Sequence, residues 1–235
     1  MSYPIFCSYY TNNYPYNFYV KELKKSLDKF KLKYEILELS HKGDWVSNCA
    51  QKANFIQKIY KQYQNSNIFW LDADSQLLRE PTFLKNFNHD FALNLKKGWR
   101  VKSGQIGFGR TQVAEKILNR WVKYCNDYPH VWDQVTLGYA WSDIQTEQKV
   151  NTLLLKDDLF LKVTRGRFLQ YFINSFNKKA VFLNKQASRQ INTQNKELAF
   201  TPNDIPISWQ KSISENNFLK IDLTKDSDLY LKKKF

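Results

Sequence analysis

The sequence contains few cysteines, glycines and histidines, and these scarcities argue against several classes of protein. Its three cysteines, Cys7, Cys49 and Cys125, lie far apart and form no Cys-x-x-Cys pair, which argues against a disulfide framework and a cysteine-based zinc site. We expect them to be buried free thiols, which are typical of proteins in a reducing compartment. No apolar run approaches the ~18 residues of a membrane span, and no secretory signal pattern is evident. We therefore expect a cytoplasmic protein.

Positive charge is abundant and unevenly distributed. The 235 residues carry a formal net charge of +14, while the hydrophobic content of 43% and charged content of 25% are ordinary for a globular protein. Residues 96–123 contain eight basic residues and one acidic residue, and residues 162–189 contain seven basic residues and no acidic one. Such concentration suits an anionic partner: nucleotide phosphate, an acidic membrane face or nucleic acid. Biased composition towards lysine is the competing explanation.

The first third of the chain alternates between strand and helix patterns. Apolar runs predict strands, and apolar residues at near-helical spacing predict helices between them. The order is a strand at 4–10, a helix at 17–30, a strand at 34–39, a helix at 45–63 and a strand from 67 onward. This order is typical of a parallel sheet with helical crossovers, so we predict an α/β fold.

The third strand ends in two carboxylates. Ile68-Phe69-Trp70-Leu71 is followed by Asp72-Ala73-Asp74. Because side chains alternate along a strand, Asp72 and Asp74 are expected on the same side of its carboxyl end, where α/β sheets bind ligands. Two neighbouring carboxylates repel each other unless a cation or hydrogen-bond donors neutralise them, and Mg²⁺ and Mn²⁺ prefer such oxygen ligands. The simpler alternative is a strand that ends in a polar turn.

The later pattern is weaker. Pro81 suits the start of a helix, and residues 91–95 predict a strand. Residues 103–109 place three glycines on a short strand, where we expect a ligand or another backbone segment to approach closely. A helix is predicted from about 113 to 124. Beyond Trp141 only strand-like pieces such as 180–183 can be recognised.

Five motifs occur in an order that resembles the GT-A class of glycosyltransferases, over about residues 3 to 190. They are Ser8-Tyr9-Tyr10-Thr11, Lys52-Ala53-Asn54-Phe55-Ile56, Trp70-Leu71-Asp72-Ala73-Asp74, Ser103-Gly104-Gln105-Ile106-Gly107-Phe108 and Trp132-Asp133-Gln134. The resemblance implies one domain with a mostly parallel mixed sheet flanked by helices. Residues 1–110 would bind the donor nucleotide, 111–195 would form the acceptor side, and 196–235 would be an extension with a basic tail.

The resemblance also implies a metal site. Asp74 would bind a Mn²⁺ or Mg²⁺ ion that bridges the donor diphosphate, and Asp72 would lie near the ribose and the metal. Many relatives add a late histidine as a ligand, but Asn184 stands where that histidine is expected. Asn184 could serve through its carbonyl oxygen.

Further donor contacts are implied at matching positions. Tyr9, Tyr10 and Thr11 would line the base pocket, Lys52 would approach the diphosphate or the sugar, Gly104 and Gly107 would leave room for the sugar, and Lys185 and Arg189 would contact phosphate. Two simpler alternatives stay open. Lys52 could be a plain surface lysine, and the two glycines could mark a tight bend in the strand.

The reacting centre is implied near Asp133 and Gln134, together with Asp72. Asp133 would touch the sugar hydroxyls or act as the base that an inverting reaction requires. The competing interpretation makes Asp133 the N-cap of a helix that begins near Val135. Inversion and retention both stay open.

These inferences predict a metal-dependent glycosyltransferase, hexosyltransferase-like, that uses a UDP-sugar and an anionic glycan or glycolipid acceptor. It would be cytoplasmic, with peripheral contact to the inner membrane through the mixed apolar and basic residues 229–235. The alternatives are transfer to a modified base in DNA, a non-catalytic basic module that binds nucleic acid, and a phosphatase of the haloacid dehalogenase type. Asp157 and Asp158 could imitate the late acidic pair of that phosphatase family.

Overall fold

The computed structural model describes residues 2–12, 15–43, 45–96, 100–129, 131–162, 179–185 and 187. Their strands are β1 Ile5–Tyr10, β2 Tyr34–Glu38, β3 Ile68–Leu71, β4 Ser75–Leu77, β5 Phe91–Lys96, β6 Arg100–Phe108, β7 Thr152–Leu154, β8 Phe160–Lys162 and β9 Phe182–Asn184. Their α-helices are α1 Tyr16–Lys29, α2 Trp45–Gln62, α3 Gln112–Asp127 and α4 Asp133–Glu147. The first four elements agree with the sequence prediction to within one residue at each end.

A six-stranded sheet in the order β2-β1-β3-β6-β5-β7 forms the centre of the fold. Strands β2, β1 and β3 are parallel neighbours, and β5 pairs with β7 in parallel. Only β6 runs against its neighbours, β3 and β5. The predicted mixed, largely parallel sheet flanked by helices is therefore confirmed.

The central sheet is covered on both faces. Helices α2, α3 and α4 pack on one face, while α1 and a second sheet, in the order β4-β9-β8, lie on the other. Strand β3 is apolar at every position because both of its faces are buried. Ile68 and Trp70 pack into the core on one face of the sheet, and Phe69 and Leu71 pack into the core on the other. All four side chains are buried.

Two sequence predictions need correction. Pro81 precedes only a single 3₁₀ turn, Thr82–Leu84, and not an α-helix. Helix α4 extends from Asp133 to Glu147, although no helical spacing of apolar residues can be recognised beyond Trp141. This helix is buried on nearly all sides, so it lacks the polar stripe that makes a helix recognisable in sequence.

An irregularity in β6 shapes the edge of the sheet. Ala92 pairs with Gly107 but Asn94 pairs with Lys102, so β6 advances five residues while β5 advances two. The extra residues bulge towards the end of β3, where the carbonyl of Gly104 accepts a hydrogen bond from the N–H of Asp72 at 2.9 Å. Bulges of this kind often lie beside active sites, because they redirect side chains.

None of the α-helices in the described ranges has the length and apolarity of a bilayer-spanning segment.

Candidate active site

The carboxyl ends of β1 and β3, the bulge of β6, the middle of α2 and the start of α4 meet at one edge of the central sheet. Asp72 follows β3 directly, and Asp74 lies in the turn that leads to β4. Lys52 comes from α2 and Asp133 is the first residue of α4. Residues far apart in the sequence are thus brought into direct contact.

Lys52 lies at the centre of this cluster and is only 5% exposed. Its Nζ is 3.1 Å from Asp72 Oδ1 and 2.8 Å from Asp133 Oδ2. It also donates to the carbonyl and the hydroxyl of Ser103, at 3.1 and 3.2 Å. Burial lowers the pKa of Lys52, but Asp133 and Asp72 more than offset this and hold it well above its usual value. The alternative of a plain surface lysine is therefore wrong.

Asp133 is not the N-cap of α4. Trp132 occupies the cap position, and Asp133 begins the helix. Its carboxylate is buried and pairs with Lys52, while its backbone carbonyl accepts a hydrogen bond from the indole of Trp121 at 3.0 Å. The N-cap interpretation is wrong. The neighbouring Gln134 is partly exposed.

Asp72 has two unlike oxygens. Oδ1 accepts a hydrogen bond from the indole of Trp70 at 2.9 Å and contacts Lys52. Oδ2 lies on the side of Gly104, where a Cβ added to the glycine would be 3.0 Å from it. A close approach to Gly104 was expected from the sequence, and here Asp72 itself makes it.

Asp74 is partly buried and held by the segment after β9. Its Oδ2 accepts a hydrogen bond from the N–H of Ala187 at 2.7 Å, and its carbonyl accepts one from the N–H of Lys185 at 3.0 Å. Burial, followed by repulsion from Asp72, raises the pKa of Asp74 to about 6, although the Ala187 hydrogen bond acts in the opposite direction. A cation between the two carboxylates would relieve this repulsion.

Asn184 lies next to this turn, but its carbonyl oxygen is already engaged. Oδ1 accepts hydrogen bonds from Gln105 Nε2 at 2.8 Å and from Ser75 Oγ at 3.1 Å. Gln105 also donates to Ser75 at 2.8 Å. This buried network ties β6, β4 and β9 together under Asp74. The sequence analysis missed Gln105 and Ser75 because nothing local marks them as partners of Asn184.

The three predicted base-pocket residues share the end of β1 but not one face. The ring of Tyr9 packs against Trp70 and Phe55, with centroids 5.3 and 5.4 Å away. Tyr10 points to the opposite face, where its hydroxyl donates to Glu38 at 3.1 Å. Thr11 follows and is buried.

The remaining predicted donor residues differ in their surroundings. A Cβ on Gly107 would lie 2.9 Å from that of Ala92 and 3.2 Å from the ring of Phe69, so core packing alone accounts for this glycine. Lys185 is partly buried, and its Nζ is 5.0 Å from the centre of the Tyr19 ring. Arg189 falls outside the described residues.

The carboxylate pair fits a hard divalent cation. Among the described residues, no group of three or more His, Cys, Asp or Glu side chains could hold a metal. A Mg²⁺ or Mn²⁺ ion that binds one or two carboxylates and completes its shell with water and substrate phosphate requires no such group. Asp72 Oδ2 and Asp74 would be its protein ligands.

Comparison with known proteins relates the chain to others by fold. No protein-family model matches it, and no curated protein matches it by sequence. A solved structure of a glycosyltransferase involved in the glycosylation of the major capsid of PBCV-1 superposes with a TM-score of 0.57. The two chains are 15% identical, and the match covers 80% of this chain and 96% of the other. The fold is therefore that of a known glycosyltransferase.

Proposed function

We propose that this chain is a metal-dependent glycosyltransferase that moves a sugar from a UDP-sugar to a glycan or glycolipid acceptor. The observation that carries the proposal is the arrangement of Asp72 and Asp74 at the carboxyl edge of a largely parallel sheet. Lys52 links Asp72 to Asp133 in the protein interior. The likeness in fold to a glycosyltransferase supports the same conclusion.

The chemistry assigned to these residues is electrostatic. Sugar transfer breaks the bond between the anomeric carbon and the diphosphate oxygen, and negative charge grows on the leaving diphosphate. A Mn²⁺ or Mg²⁺ ion held by Asp72 and Asp74 would supply the opposing positive charge. The backbone N–H of Lys185 donates to the carbonyl of Asp74, and we assign its ammonium group a further positive charge near the diphosphate. The acceptor hydroxyl forms the new bond to the anomeric carbon, and its proton passes to the leaving diphosphate, which becomes more basic as the old bond breaks.

Asp133 has two possible roles in this reaction, and its environment favours one. It is 3% exposed, and its Oδ2 is paired with Lys52. A carboxylate fixed in this way suits the orientation of sugar hydroxyls better than the collection of a proton from an acceptor. Gln134 is the more exposed member of the pair, and we assign it a contact to the sugar beside Asp133.

A panel of nucleotides tests the donor site. UDP, GDP and CDP, and the corresponding nucleotide sugars, are added with and without Mn²⁺, and the thermal unfolding of the protein is followed. A ligand at about 100 times its Kd stabilises the folded state by roughly 2.7 kcal/mol. Stabilisation by UDP and UDP-sugars that requires Mn²⁺ is expected. No response to any nucleotide would contradict the proposed function.

Asp74→Ala tests the carboxylate pair. A metal ion contributes several kcal/mol to transition-state stabilisation, so turnover is expected to fall by about 100-fold or more, while circular dichroism shows an unchanged fold. Asp127→Ala is the control, because Asp127 lies at the end of α3 and pairs there with the exposed Lys123. An Asp74→Ala variant as active as wild type would remove the proposed role.

A further inference from the structure

We propose that Trp70 and Lys52 are positioning residues that turn Oδ1 of Asp72 into the protein and so present only Oδ2 to the metal and donor. This inference rests on the proposed function and adds to it an assignment for each oxygen of the carboxylate. It also gives Lys52 a role different from the diphosphate contact that the sequence resemblance implied.

Trp70 is held too firmly to release Asp72. It lies inside β3, is 2% exposed, and donates its indole N–H to Asp72 Oδ1 at 2.9 Å. Its ring is packed edge-on against Phe55 and tilted against Tyr9, with centroids within 5.9 Å. The ring cannot rotate without disrupting this aromatic cluster. The direction of the N–H, and with it the orientation of the carboxylate, is fixed by packing.

Lys52 holds the same oxygen from another side and has no hydrogen to spare. Its ammonium carries three N–H groups, and four oxygens lie within 3.2 Å: Asp72 Oδ1, Asp133 Oδ2, and the carbonyl and hydroxyl oxygens of Ser103. The amine also lies 5.3 Å from the centre of the Trp70 ring. A diphosphate contact would require breaking one of these internal interactions.

The position of the other oxygen of Asp72, Oδ2, depends on the lack of a side chain at Gly104. A Cβ added to Gly104 would lie only 3.0 Å from Oδ2, a tight contact that the glycine avoids. The backbone N–H of Asp72 is tied to the carbonyl of Gly104 at 2.9 Å, so this part of the chain cannot move aside freely. The carboxylate therefore has one orientation, because Trp70 and Lys52 hold Oδ1 and Gly104 makes room for Oδ2.

The experiment removes the indole N–H and keeps an aromatic, though smaller, ring at this position. Groups that orient a metal ligand typically change metal affinity by about 10–100-fold when they are lost. Trp70→Phe is therefore expected to weaken Mn²⁺ binding by at least about 10-fold, measured with Mn²⁺ alone by the EPR signal of the free ion. Trp141→Phe is the matched control: Trp141 is equally buried, and its indole donates to Thr152 at 3.2 Å.

A second variant perturbs Asp72 from the opposite side. Gly104→Ala adds a methyl group against Oδ2 and is expected to weaken Mn²⁺ binding as Trp70→Phe does, with the same far-ultraviolet circular dichroism as wild type. In donor hydrolysis both variants should require more Mn²⁺ for half-maximal rate.

The possible outcomes separate the two proposals. If wild type binds Mn²⁺ and both variants bind it equally well, the positioning role is overturned and the proposed function survives. If Trp141→Phe weakens binding as much as Trp70→Phe, the effect is general loosening of the core and the positioning role is again overturned. If wild type itself binds no Mn²⁺, the metal site in the proposed function fails as well.

Discussion

At the scale of single residues, the main feature is a buried lysine between two carboxylates. Lys52 joins Asp72 from β3 to Asp133 from α4, although both positions are distant in the sequence. Burying such charges is costly, so the group contributes little net stability as a whole. Removal of the lysine alone, however, would leave two carboxylates without their counter-ion.

Lys52→Met therefore has a predictable effect on stability. The free energy of unfolding is expected to fall by about 3–5 kcal/mol, the usual cost of breaking a buried pair, as measured by urea denaturation. Lys58→Met on the exposed side of the same helix should change it by no more than about 0.5 kcal/mol. Equal effects of the two substitutions would show that Lys52 is not the buried counter-ion.

The raised pKa of Asp74 predicts how metal binding depends on pH. If Asp74 binds the metal ion as proposed, a proton competes with the metal for its carboxylate, and burial and repulsion from Asp72 raise the pKa of this group to about 6. The affinity for Mn²⁺ should therefore be lost as the pH falls through about 6, and be about 10-fold weaker at pH 5 than at pH 7. Titrations with Mn²⁺ at both pH values measure this change. An affinity independent of pH over this range would contradict the prediction.

At the scale of elements, Arg110 fastens the end of α2 to the end of β6. Its guanidinium donates to the carbonyls of Tyr60, Tyr63 and Ser66, and its backbone N–H donates to the side chain of Asn67. The guanidinium also lies 3.7 Å from the centre of the Tyr60 ring. These contacts satisfy carbonyls that the end of a helix otherwise leaves unpaired. They hold α2, and therefore Lys52, against the sheet.

Arg110→Met should lower the free energy of unfolding by about 1.5–3 kcal/mol, the range for hydrogen bonds to a charged group. Urea denaturation measures the loss, and the methionine keeps most of the apolar stem. Lys116→Met on the exposed face of α3 serves as the control, since the side chain of Lys116 is exposed and donates to Gln148 at 3.3 Å. A loss no larger than that of the control would show that Arg110 does not stabilise this junction.

The helices and strands differ in how readily they can be recognised from the sequence. Strand β1 through strand β3 were predicted because their patterns are local and their helices are amphipathic. The strands β4, β7 and β8 were not predicted, and α4 appeared only as the helix near Val135 in the competing interpretation of Asp133. Helix α4 is buried on nearly all sides, and the three strands each contain only three residues. Their existence depends on what they pack against.

At the scale of the whole molecule, part of the concentrated positive charge is neutralised by folding. Lys102 pairs with Asp157 at 3.0 Å, and Arg120 pairs with Glu147 at 2.8 Å. Lys123 pairs with Asp127. Three of the basic residues in this segment whose side chains the structure describes thus meet acidic partners, all three from outside the segment. A count along the sequence overstates the positive charge that this segment offers to a phosphate backbone.

Binding to DNA is accordingly expected to be weak. At physiological salt the Kd for duplex DNA should lie at the weak end of the non-specific range, about 10⁻⁴ M. A fluorescence-anisotropy titration measures it, and Glu147→Gln, which removes the nearer of the two carboxylates beside Arg120, should tighten it slightly. Micromolar binding by wild type with a steep dependence on salt would favour the DNA acceptor over the glycan.

The sequence alone determined the order of the first strands and helices, the pair of carboxylates at the end of β3, and the resemblance to GT-A enzymes. These features are encoded by residues close together in the chain. Tertiary structure decided the rest. It placed Lys52 between Asp72 and Asp133, turned Tyr9 and Tyr10 to opposite faces, and engaged Asn184 with Gln105. Contacts between distant segments depend on how helices cross the sheet and where a strand bulges, and no local pattern of side chains records that geometry.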